Sequence, residues 1–153
     1  MSYKGRFKPK NYKKYKGDPT KVIYRSMWEL RFMKYCDKNP SILEWSSEEI
    51  IIPYRGLDKR VHRYFPDFWI KYQNQQGQIV KEIIEVKPKA QTKKPTKKGK
   101  HYGKYIREAR TYAINRAKWE AAEEYCLDRG YKFRIITEAV SYTHLRAHET
   151  TNY

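Results

Sequence analysis

The stretch "EIIEVKPK", Glu82 to Lys89, places an acid and an amine two residues apart, at Glu85 and Lys87. Read as a strand, it alternates its side chains between two faces, so Glu85 and Lys87 share one face while Ile84 and Val86 point to the other. A surface salt bridge accounts for that pair. So does a site for phosphodiester cleavage, which needs a nucleophilic water, neutralisation of developing charge and help for the leaving oxygen. A divalent ion such as Mg²⁺ supplies much of this and takes oxygen ligands. A carboxylate on a rigid strand is such a ligand, and a lysine on the same side can orient the water, help deprotonate it or offset charge. Glu-x-Lys alone says little in a chain with 34 Lys and Arg.

Two further acids extend the pattern. Asp67 follows Pro66 in "YFPDFWI", and a hairpin turned around Gln73 to Gln78 brings it close to Glu85. Two carboxylates at one spot repel, which invites a cation. Taken singly, Asp67 also reads as a turn residue after proline. Glu29, in "SMWEL", fits a capping box, Ser26-x-x-Glu29, in which it bonds back to the Ser26 amide. The same helix start is also a place to add a metal ligand. His62 lies five residues before Asp67, on the opposite face of an unbroken strand, and His101 falls in a cationic loop. No Ser-His-Asp order, glycine-rich phosphate loop or CxxC motif is present.

The elements that must position these residues can be read along the chain. "YRSMWELRFMKYCDKNP" carries Trp28, Phe32, Tyr35 and Cys36 on one helical face, stopped by Asp37 to Pro40. "SILEWS", "EEIIIPYR" and "RVHRYFPDFWIKY" read as strands, the last interrupted by Pro66, and "QIVKEIIEVKPK" returns as the antiparallel partner of the last. A long helix is predicted from Tyr105 to about Asp128, with Trp119, Ala122 and Cys126 as its apolar stripe, Ala109, Ala113 and Ala117 as a small-residue face, and Gly130 just past its end. "YKFRIITE" is a last strand. Helix, strands, helix, strand defines a mixed α/β or α+β domain.

With 153 residues and 39% hydrophobic side chains, the chain is long enough for one modest core. Thirty-four Lys and Arg against 17 Asp and Glu give a formal net charge of +17. Such a field attracts polyanions, nucleic acid first among them. Residues 1–20 are basic and tyrosine-rich without a clear period, and read as a flexible N-terminal arm. Lys13 and Lys14 in that arm, and Lys93, Lys94, Lys97, Lys98 and Lys100 in the cationic loop 89–104, are the candidate phosphate contacts. Cys36 and Cys126 are far apart and read as small apolar core residues with no disulfide partner. No apolar run is long enough for a membrane span, and the basic N-terminus has no apolar signal-peptide core. The stretch "VSYTHLRAHET", Val140 to Thr150, can be reverse-translated into a string resembling a transposase-type sequencing adapter. Residues 140–153 are therefore expected to be a non-native tail, and His144 and His148 are discounted as ligands.

Pro66-Asp67 followed by Glu85-x-Lys87, with a preceding helix that bears Glu29, resembles the PD-(D/E)xK nuclease superfamily. That resemblance implies a restriction-endonuclease-like αβββαβ core in residues 21–139, with a mixed central sheet flanked by helices. The segments from Tyr15 to Tyr54 and from Ile114 to Glu138 are similar to the head completion nucleases of T4-like tailed phages. The arrangement is also similar to TnsA-type transposon endonucleases. By these resemblances Asp67, Glu85 and Glu29 are metal ligands for Mg²⁺, with Mn²⁺ as a substitute. Lys87 is the catalytic lysine, and Asn115 and Lys118 line the site or the DNA path. The function implied is a Mg²⁺-dependent DNA endonuclease acting on packaged DNA ends before tail attachment. Its expected partners are DNA and portal or head-to-tail connector proteins, in the host bacterial cytoplasm during phage assembly or in the virion. The competing readings are a non-catalytic DNA-binding head-closure protein on the same fold, a transposon end-cleaving subunit, and a basic RNA binder.

Overall fold

The structure, a computed structural model, describes residues 4–137. The stretch expected to be non-native, 140–153, lies outside the described residues. In chain order the elements are strands β1 (Gly5–Arg6) and β2 (Ile23–Tyr24), helix α1 (Met27–Lys38), and strands β3 (Ile42–Ser47), β4 (Ile52–Arg55), β5 (Val61–Tyr64), β6 (Phe68–Gln73) and β7 (Ile79–Lys87). Helix α2 (Tyr102–Arg129) and strand β8 (Lys132–Thr137) are the last elements of the described residues.

The central sheet has four strands in the order β3-β6-β7-β8. β3, β6 and β7 pair antiparallel, whereas β8 lies parallel to β7. Its parallel return is made by α2, as a parallel crossover requires. The sequence α1-β3-β6-β7-α2-β8 is the αβββαβ order expected of the fold. Among the described residues β4 and β5 pair only with each other, as a hairpin inserted between β3 and β6. The single strand expected over "RVHRYFPDFWIKY" is therefore two. Pro66 supplies no N–H for a ladder, and the chain leaves one sheet and enters the other around it.

Each face of the central sheet carries its own core. Phe32, Met33 and Cys36 of α1 pack on Phe68, Ile70, Ile84 and Ile136. On the other side Trp119, Ala122 and Cys126 of α2 pack with Ile83, Trp69, Ile52 and Tyr64. The stripe expected on α2 is buried, and of that expected on α1 Phe32 and Cys36 are buried while Trp28 and Tyr35 are partly so. Full burial of one Phe or Met side chain contributes about 1.5–3 kcal/mol. Cys36 and Cys126 fall in different cores and pack as small apolar groups. Helix α2 ends where Gly130 adopts the left-handed conformation at φ 71°, and the Tyr131 N–H closes the end on the Cys126 carbonyl at 2.8 Å.

The N-terminal stretch is not the unpacked arm its composition implied. Phe7 and Tyr15 are buried against Trp45, edge to face, with ring centroids 5.9 and 4.8 Å apart. The Tyr15 hydroxyl donates to Glu49 Oε2 at 2.8 Å and accepts from the Ser47 N–H at 3.1 Å. This stretch covers the outer edge of β3, which would otherwise present unpaired backbone groups. Lys14 is a structural residue here. Its Nζ donates to the carbonyls of Cys36 at 2.7 Å and Asn39 at 2.9 Å, at the C-terminal end of α1. A cation there satisfies end carbonyls and opposes the negative end of the helix dipole. Asp37 completes the clasp by accepting the Lys10 and Asn11 amides at 2.9 and 3.0 Å.

Candidate active site

The β6–β7 hairpin sets the site. Its turn is closed by Asn74, whose side chain accepts the amides of Gln76 and Gln78 at 3.0 and 2.9 Å, with Gly77 at a φ of 78°. That turn fixes a register in which Phe68 faces Ile84, so the residues beyond the pair, Asp67 and Glu85, come together at the open end. The Asp67 N–H points to Glu85 Oε1 at 3.4 Å, and the Val86 N–H donates to Asp67 Oδ2 at 2.7 Å. On the same face, Lys87 Nζ lies 3.5 Å from Glu85 Oε2. The structure thus brings Asp67, Glu85 and Lys87 together.

A fourth group was not foreseen. Tyr64, the last residue of β5, donates its hydroxyl to Glu85 Oε1 at 2.7 Å. It is 4% exposed, so this bond is shielded from water. The signal that could have found it is Pro66. Once proline ends the strand, the alternation counted through Tyr64 no longer applies to Asp67, and Tyr64 belongs to a hairpin free to fold over the site. Lys118 of α2 sits behind it, with Nζ 5.7 Å from the Tyr64 ring centroid and 5.8 Å from that of Tyr54. Burial and the Glu85 charge push the Tyr64 hydroxyl well above its ordinary value, so it stays a donor.

Electrostatics make the pair of acids costly by itself. Burial pushes the Asp67 carboxyl up to about 8, the neighbouring Glu85 charge adds to this, and the Val86 N–H and Lys87 oppose it. Burial also raises Glu85, against the Tyr64 hydroxyl and Lys87. A buried and a half-buried carboxylate, both raised by desolvation and Asp67 also by the Glu85 charge, form a donor set suited to a hard divalent cation. Lys87 alone offers one positive charge to the pair.

Glu29 lies close enough for its charge to act on Asp67. Its N–H donates to Ser26 Oγ at 3.1 Å, and its Oε1 accepts from the Arg25 N–H at 3.1 Å. The capping arrangement therefore forms, with the Arg25 amide as a partner where the Ser26 amide was expected. Among the described residues no group of three Asp, Glu, His or Cys side chains forms a ready metal site, and Glu29 bears on Asp67 through its charge. His62 pairs with Asp58 at 2.9 Å, and His101 is exposed just before α2.

The expected DNA contacts divide. Lys13, Lys93, Lys94, Lys97 and Lys98 are exposed. Lys100 pairs with Glu108 at 2.7 Å, and Lys14 is held at the end of α1. Asn115 is 3% exposed, a buried amide on the α2 face that leads to Lys118. Glu82, which spacing left without a role, is buried and paired with Arg134 of β8, a contact that ties the two parallel strands together.

Comparison with known proteins identifies the family. The family model of the TnsA-like endonuclease N-terminal domain matches residues 39–138, a span that holds Asp67, Glu85 and Lys87. The chain belongs to the TnsA-like endonuclease family. It is also 42% identical over 144 residues to the head completion nuclease of Enterobacteria phage T4, covering 90% of this chain and 93% of that protein. No solved structure matches it. No described helix is long and apolar enough to cross a membrane.

Proposed function

We propose that this protein is a Mg²⁺-dependent DNA endonuclease that hydrolyses phosphodiester bonds at packaged DNA ends, completing a phage head before the tail attaches. The observation that carries the chemistry is the meeting of Asp67 and Glu85 across the hairpin, with Lys87 on the same face. A non-catalytic scaffold has no need to hold a buried and a half-buried acid side by side. Asp67 and Glu85 would hold Mg²⁺ or Mn²⁺. When bound, such an ion would polarise the scissile phosphate and acidify a bound water. The protein's own groups do the rest. The Val86 N–H fixes Asp67 Oδ2, and Tyr64 fixes Glu85 Oε1. Lys87 Nζ offsets charge on the phosphate and orients the attacking water. Glu29 adds negative charge beside Asp67.

Likeness to the T4 head completion nuclease supports the assembly role. In that role the protein acts in the host bacterial cytoplasm on a filled head, with portal or connector proteins as partners, and stays with the virion if it remains bound. The +17 charge supports DNA as the substrate. The test is cleavage of linear and nicked DNA in Mg²⁺ or EDTA, beside Glu85→Ala and Lys87→Ala. Cutting in Mg²⁺ by the unmodified protein alone is the expected result. Equal cutting in every arm means a contaminant and ends the reading.

A further inference from the structure

The segment after β7 is largely exposed, but it folds back toward α2 and forms with it a half-open cleft of about 440 Å³. The wall includes Pro88, Lys93, Lys94, Arg107, Thr111 and Tyr112. The acid in the wall, Glu108, is paired with Lys100 at 2.7 Å, which leaves Lys93, Lys94 and Arg107 as excess positive charge. Such a cavity selects an anion. Its volume lies in the range that takes one small-molecule-sized group. A base-paired duplex is too broad to enter. Tyr112 adds an aromatic ring to the wall, a platform for a base.

Position narrows the occupant further. Pro88 directly follows Lys87, so the cavity begins where the proposed catalytic strand ends. Along α2, Thr111, Asn115 and Lys118 recur at spacings of four and three, which places them on one face. That face runs from the cavity to Lys118, over the Tyr64 ring whose hydroxyl holds Glu85. At a rise of about 1.5 Å per residue, Thr111 and Lys118 are roughly 10 Å apart along the axis, on the order of one or two nucleotides. Between them, the buried Asn115 Nδ2 has no hydrogen-bond partner among the described residues.

We propose that this cavity is a subsite for one unpaired nucleotide of the DNA strand being cut. Its phosphate sits against Lys93, Lys94 and Arg107, and its base lies against Tyr112. The proposal rests on the nuclease reading for its substrate and deepens it, because it makes DNA with unpaired nucleotides beside the cut the preferred substrate over continuous duplex.

The test is equilibrium binding in EDTA, read by fluorescence anisotropy, so that cleavage plays no part. A blunt hairpin duplex is compared with the same duplex carrying a three-nucleotide overhang. The intact protein is compared with Tyr112→Ala, with Lys93→Ala/Lys94→Ala, and with Lys8→Ala/Lys34→Ala, which removes the same charge from exposed positions elsewhere. The expected preference for the overhang is about tenfold, the scale of one stacked base. It should collapse to within about twofold in both cavity variants and survive in the Lys8/Lys34 control. The lysine pair is exposed in a loop, so its removal tests the site even if Tyr112→Ala unfolds. Equal affinity for blunt and overhanging DNA overturns the proposal, as does a preference that the cavity variants leave intact. A protein that cuts DNA in Mg²⁺ without the preference loses only this subsite. One that shows the preference yet never cuts loses the nuclease reading and keeps the subsite.

Discussion

Asp67 and Glu85 are bound to each other's strands. The Asp67 amide points to Glu85 Oε1 at 3.4 Å, while the amide of Val86, next to Glu85, donates to Asp67 Oδ2 at 2.7 Å. The hairpin register therefore holds the two carboxylates in place before any ion arrives. That pre-organisation has an electrostatic cost, because burial and mutual repulsion raise Asp67 and burial raises Glu85.

The cost should be visible as a pH dependence of stability. Below the ordinary Asp value of 3.8, the carboxyl is neutral folded or unfolded, and the folded state carries no penalty. As pH rises toward about 8, the unfolded chain has already ionised while folded Asp67 still resists, so stability is lost through that window. In EDTA, Asp67→Asn should be more stable than the unmodified protein by about 1–2 kcal/mol at pH 8, with a smaller gap at pH 5. Thermal unfolding at the two pH values checks it. A gap that shrinks as pH rises contradicts the assignment.

Divalent ions should reverse that ranking. Mg²⁺ at 100 times its dissociation constant stabilises a folded site by about 2.7 kcal/mol. The unmodified protein should gain thermal stability in Mg²⁺, and Asp67→Asn and Glu85→Gln should not. Because the ligands must be ionised, apparent Mg²⁺ affinity should climb with pH up to about 8, the value to which Asp67 is raised. Calorimetric titration across pH 6–9 measures it.

Tyr64→Phe isolates the hydroxyl. The ring keeps its packing in the α2-side core, so stability should change by about 1 kcal/mol or less. Loss of the 2.7 Å bond to Glu85 should weaken metal affinity or cleavage by about 10–100-fold, the usual effect of removing a group that orients a ligand. The check is a Mg²⁺ titration of cleavage rate beside a thermal melt.

Lys14 and Lys13 should part company although they are neighbours in sequence. Lys14→Met removes a cation from the C-terminal carbonyls of α1 and should cost about 1–3 kcal/mol of stability. Lys13→Met, at an exposed position, should leave stability within about 0.5 kcal/mol. Chemical denaturation of the two variants decides it.

The elements that spacing made legible were those with a clear buried face. The Trp28-Phe32-Cys36 and Trp119-Ala122-Cys126 stripes, the Gly130 stop and the β6–β7 hairpin all follow from local pattern. The Asp67–Glu85 meeting was legible for the same reason, since a hairpin register is set by its turn and strand lengths. What was hidden depends on long-range packing. Phe7 and Tyr15 belong to a stretch of low hydrophobicity, and the core that buries them includes Trp45, which lies well beyond them in sequence. Lys14 looked like a phosphate contact because its type is common to both roles, and the carbonyls it satisfies belong to a helix more than one element away. Tyr64 was concealed by treating the chain on both sides of Pro66 as one strand. Glu29 carried two readings in sequence, and the structure shows the capping one formed while its charge still reaches Asp67.

The central claim is that Asp67 and Glu85 share a divalent ion. Crystals soaked in Mn²⁺ and measured at the manganese edge test it most directly. The account predicts an anomalous peak within bonding distance of both carboxylates in the unmodified protein and its loss in Glu85→Gln. A fully occupied peak elsewhere, or none at a Mn²⁺ concentration that supports cleavage, would contradict it.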